Sequence, residues 1–165
     1  MKYKNEKLSG PATTIVVIPL GDKDIVFTIQ CVLDYSDFEK MVPEPKPPLI
    51  LRRGETVQAP NLEDSKYRNE INKYYSQQTK YMILKSLEPT KDLEFESVKL
   101  NDPSTWDNFD KEMQEAGFTN LHISRLIREI SAINGLDERK IDEAKQRFLA
   151  MSAQQEKQPF PQAVQ

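Results

Sequence analysis

Thr13-Thr14-Ile15-Val16-Val17-Ile18-Pro19-Leu20-Gly21-Asp22-Lys23-Asp24-Ile25-Val26-Phe27-Thr28-Ile29 is the stretch that decides the fold. Thr13 to Ile18 is β-branched throughout, Pro19 to Asp24 supplies turn chemistry, and Ile25 to Ile29 resumes β-rich sequence, so the stretch predicts a β-hairpin. A two-stranded hairpin is marginal alone in water and has to pack on further strands, on helices or on another chain. Downstream, from about Asn61, the grammar changes. Tyr67, Ile71, Tyr74, Tyr75, Tyr81 and Met82 recur at three-to-four-residue spacing up to Leu87, which predicts one helix of roughly 20 residues stopping before Pro89. Strands first and helices afterwards predict an α+β fold: a small β-rich part over 12–60, a helical part over 61–150, and flexible ends at 1–11 and 151–165.

Between hairpin and helix, Leu33, Phe38 and Met41 are spaced for a short helix with little capping support. Pro43-Glu44-Pro45-Lys46-Pro47-Pro48 then places four prolines in six residues, which favours extended polyproline II geometry and forbids helix. Its flanks, Phe38 with Met41 on one side and Leu49 with Ile50 and Leu51 on the other, are too apolar for an idle linker. These five residues are the expected partner contacts of a Pro-rich arm, with Leu49 to Leu51 offering backbone groups for strand addition. The competing expectation is that the segment folds back on its own hairpin.

The stretch Leu93 to Leu100 alternates only partly and reads as a strand or an extended connector. Asp102 before Pro103 predicts a helix start, with Trp106, Phe109 and Met113 as its apolar stripe and Gly117 as its end. Thr119 caps the next helix, Phe118 and Ile123 stand at hydrophobic-staple spacing, and Ile123, Leu126, Ile127 and Ile130 form its buried face up to Gly135. Asp137 predicts a cap for a third helix carrying Ile141, Ala144 and Phe148 on one side. Three short-linked helices predict a bundle with a core of Trp106, Phe109, Phe118, Ile127, Ile130 and Phe148.

Composition narrows the function. The 165 residues have 38% hydrophobic and 30% charged side chains, and 23 Lys and Arg against 26 Asp and Glu leave a net charge of -3. With a mean hydropathy of -0.66, a modest core and some unstructured chain are expected. No global basic field exists to collect nucleic acid or anionic lipid. The single cysteine, Cys31, allows no intrachain disulfide and no cysteine zinc cluster, and a reducing compartment suits it. His122 is the one histidine and reads as a first-turn helix residue. Five scattered glycines make no phosphate loop or dinucleotide fingerprint. No apolar run approaches the roughly 20 residues of a membrane span, and no signal-peptide core follows the basic start, so a cytoplasmic protein without a membrane anchor is expected.

Carboxylate pairs such as Asp22 with Asp24, or Glu94 with Glu96, have no base, nucleophile or metal in sequence to work with, so no enzyme, metal site or cofactor is expected. The tyrosines over 67–81 suggest base stacking only weakly, since an aromatic stripe at helical spacing is more often a packing face. The helices 119–134 and 137–149 have roughly helix-turn-helix lengths, but the second is near neutral because Asp137, Glu138, Asp142 and Glu143 oppose its basic residues. A protein that works by holding other proteins fits best, with a DNA-associated regulator as the alternative.

The segments Trp106-Asp107-Asn108-Phe109, Glu112-Met113-Gln114-Glu115-Ala116-Gly117-Phe118-Thr119, Asn134-Gly135-Leu136-Asp137-Glu138 and Ala144-Lys145-Gln146-Arg147-Phe148-Leu149 resemble the small tail assembly proteins of long-tailed bacteriophages, particularly the tail assembly chaperones. The resemblance covers roughly 50–150. It implies a non-enzymatic protein of the host cytoplasm that binds the tape measure protein, and tail tube subunits as a second client, while the tail is built, with a homo-oligomer as one form. Such chaperones are often mostly helical, and the β-rich beginning here departs from that. Another phage particle accessory protein is the remaining expectation of this kind.

Overall fold

A computed structural model of the chain describes residues 1–7, 10–51, 54, 56–135, 141–143 and 145–146. Two-residue strands β1 (Lys2–Tyr3) and β2 (Glu6–Lys7) form a small, fully exposed hairpin at the start. The expected hairpin follows as β3 (Thr13–Leu20) and β4 (Lys23–Gln30), paired antiparallel from Thr13↔Gln30 to Leu20↔Lys23. Gly21, at φ +61°, takes the first of the two loop positions, where a type II′ turn favours glycine. Alternation then sorts the side chains. Val16, Ile18, Phe27 and Ile29 are buried, while Ile15, Val17 and Val26 are exposed.

What the hairpin packs on is the helices. α1 (Ser36–Met41) places Phe38 against the rings of Tyr74, Tyr81 and Trp106, with centroids 5.3, 5.5 and 6.2 Å away. α2 (Ser65–Leu87) starts where Asp64 accepts the Tyr67 N–H at 2.8 Å. Its last turns are buried nearly all round, from Tyr81 through Leu87, which makes it the central helix rather than a one-faced one. The connector 93–100 forms no strand; Val98 is buried, and Glu112 accepts the backbone N–H groups of Glu96 and Ser97.

Asp102 does not cap a helix. Its carboxylate accepts the N–H and hydroxyl of Ser104, two residues on, and this local turn holds the chain until a 3-10 turn at Trp106–Asn108 leads into α3 (Phe109–Glu115). α3 ends as expected at Gly117: at φ +95°, the Phe118 N–H reaches the Met113 carbonyl and the Gly117 N–H reaches the Gln114 carbonyl. α4 (Asn120–Ile133) opens on Thr119, whose hydroxyl accepts the His122 N–H while His122 Nδ1 accepts the Thr119 N–H. The lone histidine is thus part of a capping box.

The α+β class holds, and among the described residues strands and helices share one core. One cluster of buried residues runs from Val16, Ile18, Phe27 and Ile29 through α1 and α2 to Trp106, Phe109, Phe118 and Ile130. The Phe27 and Phe118 rings meet at 5.8 Å. Trp106, Phe109, Phe118 and Ile130 are buried as expected and Ile127 is partly buried against them. The proposed start of a third helix at Asp137, its Ala144 and Phe148, and the tail 151–165 lie outside the described residues, while Ile141, expected on its packed side, is exposed.

Candidate protein-binding surface

Among the described residues no group of three or more His, Cys, Asp or Glu side chains is placed to hold a metal ion, and no helix is long and apolar enough to cross a membrane. The polar side chains that do gather are structural. Burial raises the pKa of Glu112, but the Ser97 hydroxyl and the N–H groups of Glu96, Ser97 and Val98 outweigh it, leaving the carboxyl below its ordinary value. That carboxylate ties the connector to α3. Burial pushes Tyr74 and Tyr81 up, as their place in the aromatic cluster requires, so two of the four tyrosines of the α2 stripe present no face for a base. A cleft of about 320 Å³ between α2 and α3 has Ile83, Trp106, Phe109 and Ile127 among its walls and the Lys80–Asp107 ion pair at its side.

The five expected partner contacts do not form one surface. Phe38 is completely enclosed, so it belongs to the core and is not available to a partner. Its helical spacing to Met41 was read correctly, but the aromatic cage from α2 and the 3-10 turn is sequence-distant. Met41 is half-buried and lines a groove of about 390 Å³ with Tyr81, Lys85 and Leu100. Leu49, Ile50 and Leu51 stand apart from both, on an arm.

That arm is a second small hairpin. β5 (Leu49–Ile50) pairs antiparallel with β6 (Ala59–Pro60), Leu49 opposite Pro60 and Ile50 opposite Ala59, and the Asn61 N–H donates to the Pro48 carbonyl at 2.7 Å. The strand-addition edge expected at Leu49 to Leu51 is therefore partly taken by the chain's own residues. The side chains remain open: Leu49 and Leu51 are each 60% exposed, and Val57 and Leu62 are exposed beside them in sequence. Single exposed leucines are ordinary, whereas four large exposed apolar side chains within one short segment make this stretch the candidate surface. Val57 and Leu62 escaped the sequence reading because each stands among polar residues, without period or neighbour to mark it.

The architecture is that of a small α+β protein with Leu49, Leu51, Val57 and Leu62 exposed in and around its third hairpin. Comparison with known protein families, with curated proteins and with solved structures finds no match to this chain.

Proposed function

We propose that the chain is a non-enzymatic assembly factor that holds an apolar segment of another protein through the arm of residues 49–62. The observation that supports this reading is the set of exposed apolar side chains on that arm, Leu49, Leu51, Val57 and Leu62, none of which is a buried member of the chain's core. Covering such side chains on a client removes two apolar surfaces from water at once, which is the driving force available to a holding protein. The resemblance of the 106–149 segments to tail assembly chaperones supplies the client class: the tape measure protein of a long-tailed phage, held in the host cytoplasm until the tail forms.

Co-expression with a tape measure protein, followed by pull-down, tests this. The unmodified chain is expected to keep the client soluble and to retain it as salt rises, since the contact is apolar. Replacing Leu49 and Leu51 together by Ser should abolish retention while the melting temperature stays unchanged. A double variant that melts much earlier would assign the arm to the chain's own stability. Recovery of DNA without protein, with affinity falling about 10³–10⁵-fold between 50 and 200 mM salt, would favour the regulator instead.

A further inference from the structure

The two edges of the β3–β4 hairpin are treated differently. On β4, the Thr90 hydroxyl accepts the Thr28 N–H and donates to the Thr28 carbonyl, both at 3.0 Å. Thr28 therefore turns its backbone groups away from β3. In an antiparallel pair this orientation alternates, and opposed residues share it. Thr13, Ile15 and Val17, opposite Gln30, Thr28 and Val26, consequently turn their N–H and C=O groups outward along the far edge of β3. The Cys31 N–H bond to the Ala12 carbonyl at 2.9 Å continues the same alternation. Among the described residues nothing pairs with these outward groups.

Such an edge is ordinarily guarded by charge. β3 carries none from Thr13 to Leu20, and its outward-face side chains Ile15, 64% exposed, and Val17 are apolar. Prolines, which lack a donor, stand at Pro11 and Pro19, each four residues from Ile15. The pattern of donors is thus symmetric about Ile15. That symmetry matches a strand running the opposite way with the same spacing.

We infer that β3 pairs antiparallel with β3 of a second copy, about a two-fold axis at Ile15, joining two hairpins into one four-stranded sheet. Ile15 lies opposite Ile15 of the second copy, Thr13 opposite Val17, and Pro11 opposite Pro19, so every outward N–H between the prolines finds a carbonyl and no like charges meet. Ile15, Val17 and Val26 of both copies then make one apolar stripe across the joined sheet. This dimer rests on a different element from the arm and stands whether or not the arm holds a client.

Sedimentation of the full chain over a wide concentration range, joined to cysteine cross-linking in a Cys31→Ser background, tests the pairing and its register. The unmodified chain is expected to form a dimer. Ile15→Lys, at an exposed position, should leave it monomeric with its melting temperature kept. Should that variant fail to fold, Val17→Pro removes an outward donor without touching the ladder to β4, and the same loss is expected. Opposed hydrogen-bonded positions lie about 5.5 Å apart at Cα, within disulfide reach, so Ile15→Cys should link two chains under mild oxidation. Thr13→Cys or Val17→Cys alone should not link, because each stands about 14 Å from its counterpart. A chain that stays monomeric throughout would overturn the inference, as would a dimer unaffected by these substitutions. Equal linking at all three positions, or a monomer that instead takes a foreign extended peptide at β3, would overturn it too.

Discussion

Glu112 does the work of several main-chain bonds. Its carboxylate accepts from the backbone of Glu96 and Ser97 and from the Ser97 hydroxyl, and its pKa lies below the ordinary 4.5. A carboxyl whose folded pKa is depressed contributes stability that is fully present above its unfolded value and is lost as pH falls through the folded one. Glu112→Gln, which keeps one acceptor and adds a donor that faces other donors, is expected to cost about 1 kcal/mol at neutral pH. Urea midpoints of the two proteins should converge as pH falls through the lowered pKa of the native carboxyl, where that carboxyl is itself protonated; a gap that persists in stronger acid would mean that shape, not charge, holds the connector. Single residues were the most readable scale where the signal is local. Thr119 and Gly117 could be placed from their neighbours alone, because a cap and a left-handed terminus need nothing from elsewhere in the chain. Asp102 could not, because Ser104 competes for its carboxylate and wins at two residues' distance. Phe38 was assigned to a partner for the converse reason: its cage of Tyr74, Tyr81 and Trp106 comes from elements far along the sequence.

Elements were readable by type and less so by neighbour. The hairpin and α2 follow from period and turn residues, yet nothing in those patterns shows that the end of α4 touches the end of β4. Asn134 makes that join. Its side-chain oxygen accepts the Val32 N–H at 2.8 Å, and its amide donates to the Ser86 hydroxyl at 3.1 Å and to the Ile130 carbonyl at 2.8 Å. One side chain thereby links the strand exit, the central helix and the C-terminus of α4. Asn134→Ala leaves the Val32 N–H and the fully buried Ser86 hydroxyl without these partners, and the expected cost is about 1–3 kcal/mol. Chemical denaturation measures it, and Asn134→Asp offers the control, since it keeps the acceptor for Val32 while losing the donor to Ser86. Equal stability of all three proteins would show that water replaces the whole set.

At the scale of the whole molecule, strands followed by helices predict an α+β fold with its strands ahead of its helices, and the chain has that order, while its buried residues form one shared cluster. The reason lies in the size of the pieces. Two strands bury one face only, and the inner face of β3 and β4 finds its cover in α2, α4 and Phe118, so neither part has a complete core without the other. Elements that complete each other's core are expected to open as one cooperative unit, apart from fraying ends. Hydrogen exchange is expected to show the ladder amides of β3 and β4, those of α2 beyond Tyr74, and those of α4 protected to the same free energy, which should equal that of global unfolding followed by Trp106 fluorescence. The arm, β5 with β6, adds no residue to that core and its amides should exchange far earlier. Hairpin amides that exchange well ahead of α2 would restore the picture of two parts. An arm protected as strongly as α2 would mean that its leucines are covered in solution, and a concentration dependence of that protection would identify the cover as another copy of the chain rather than its own core.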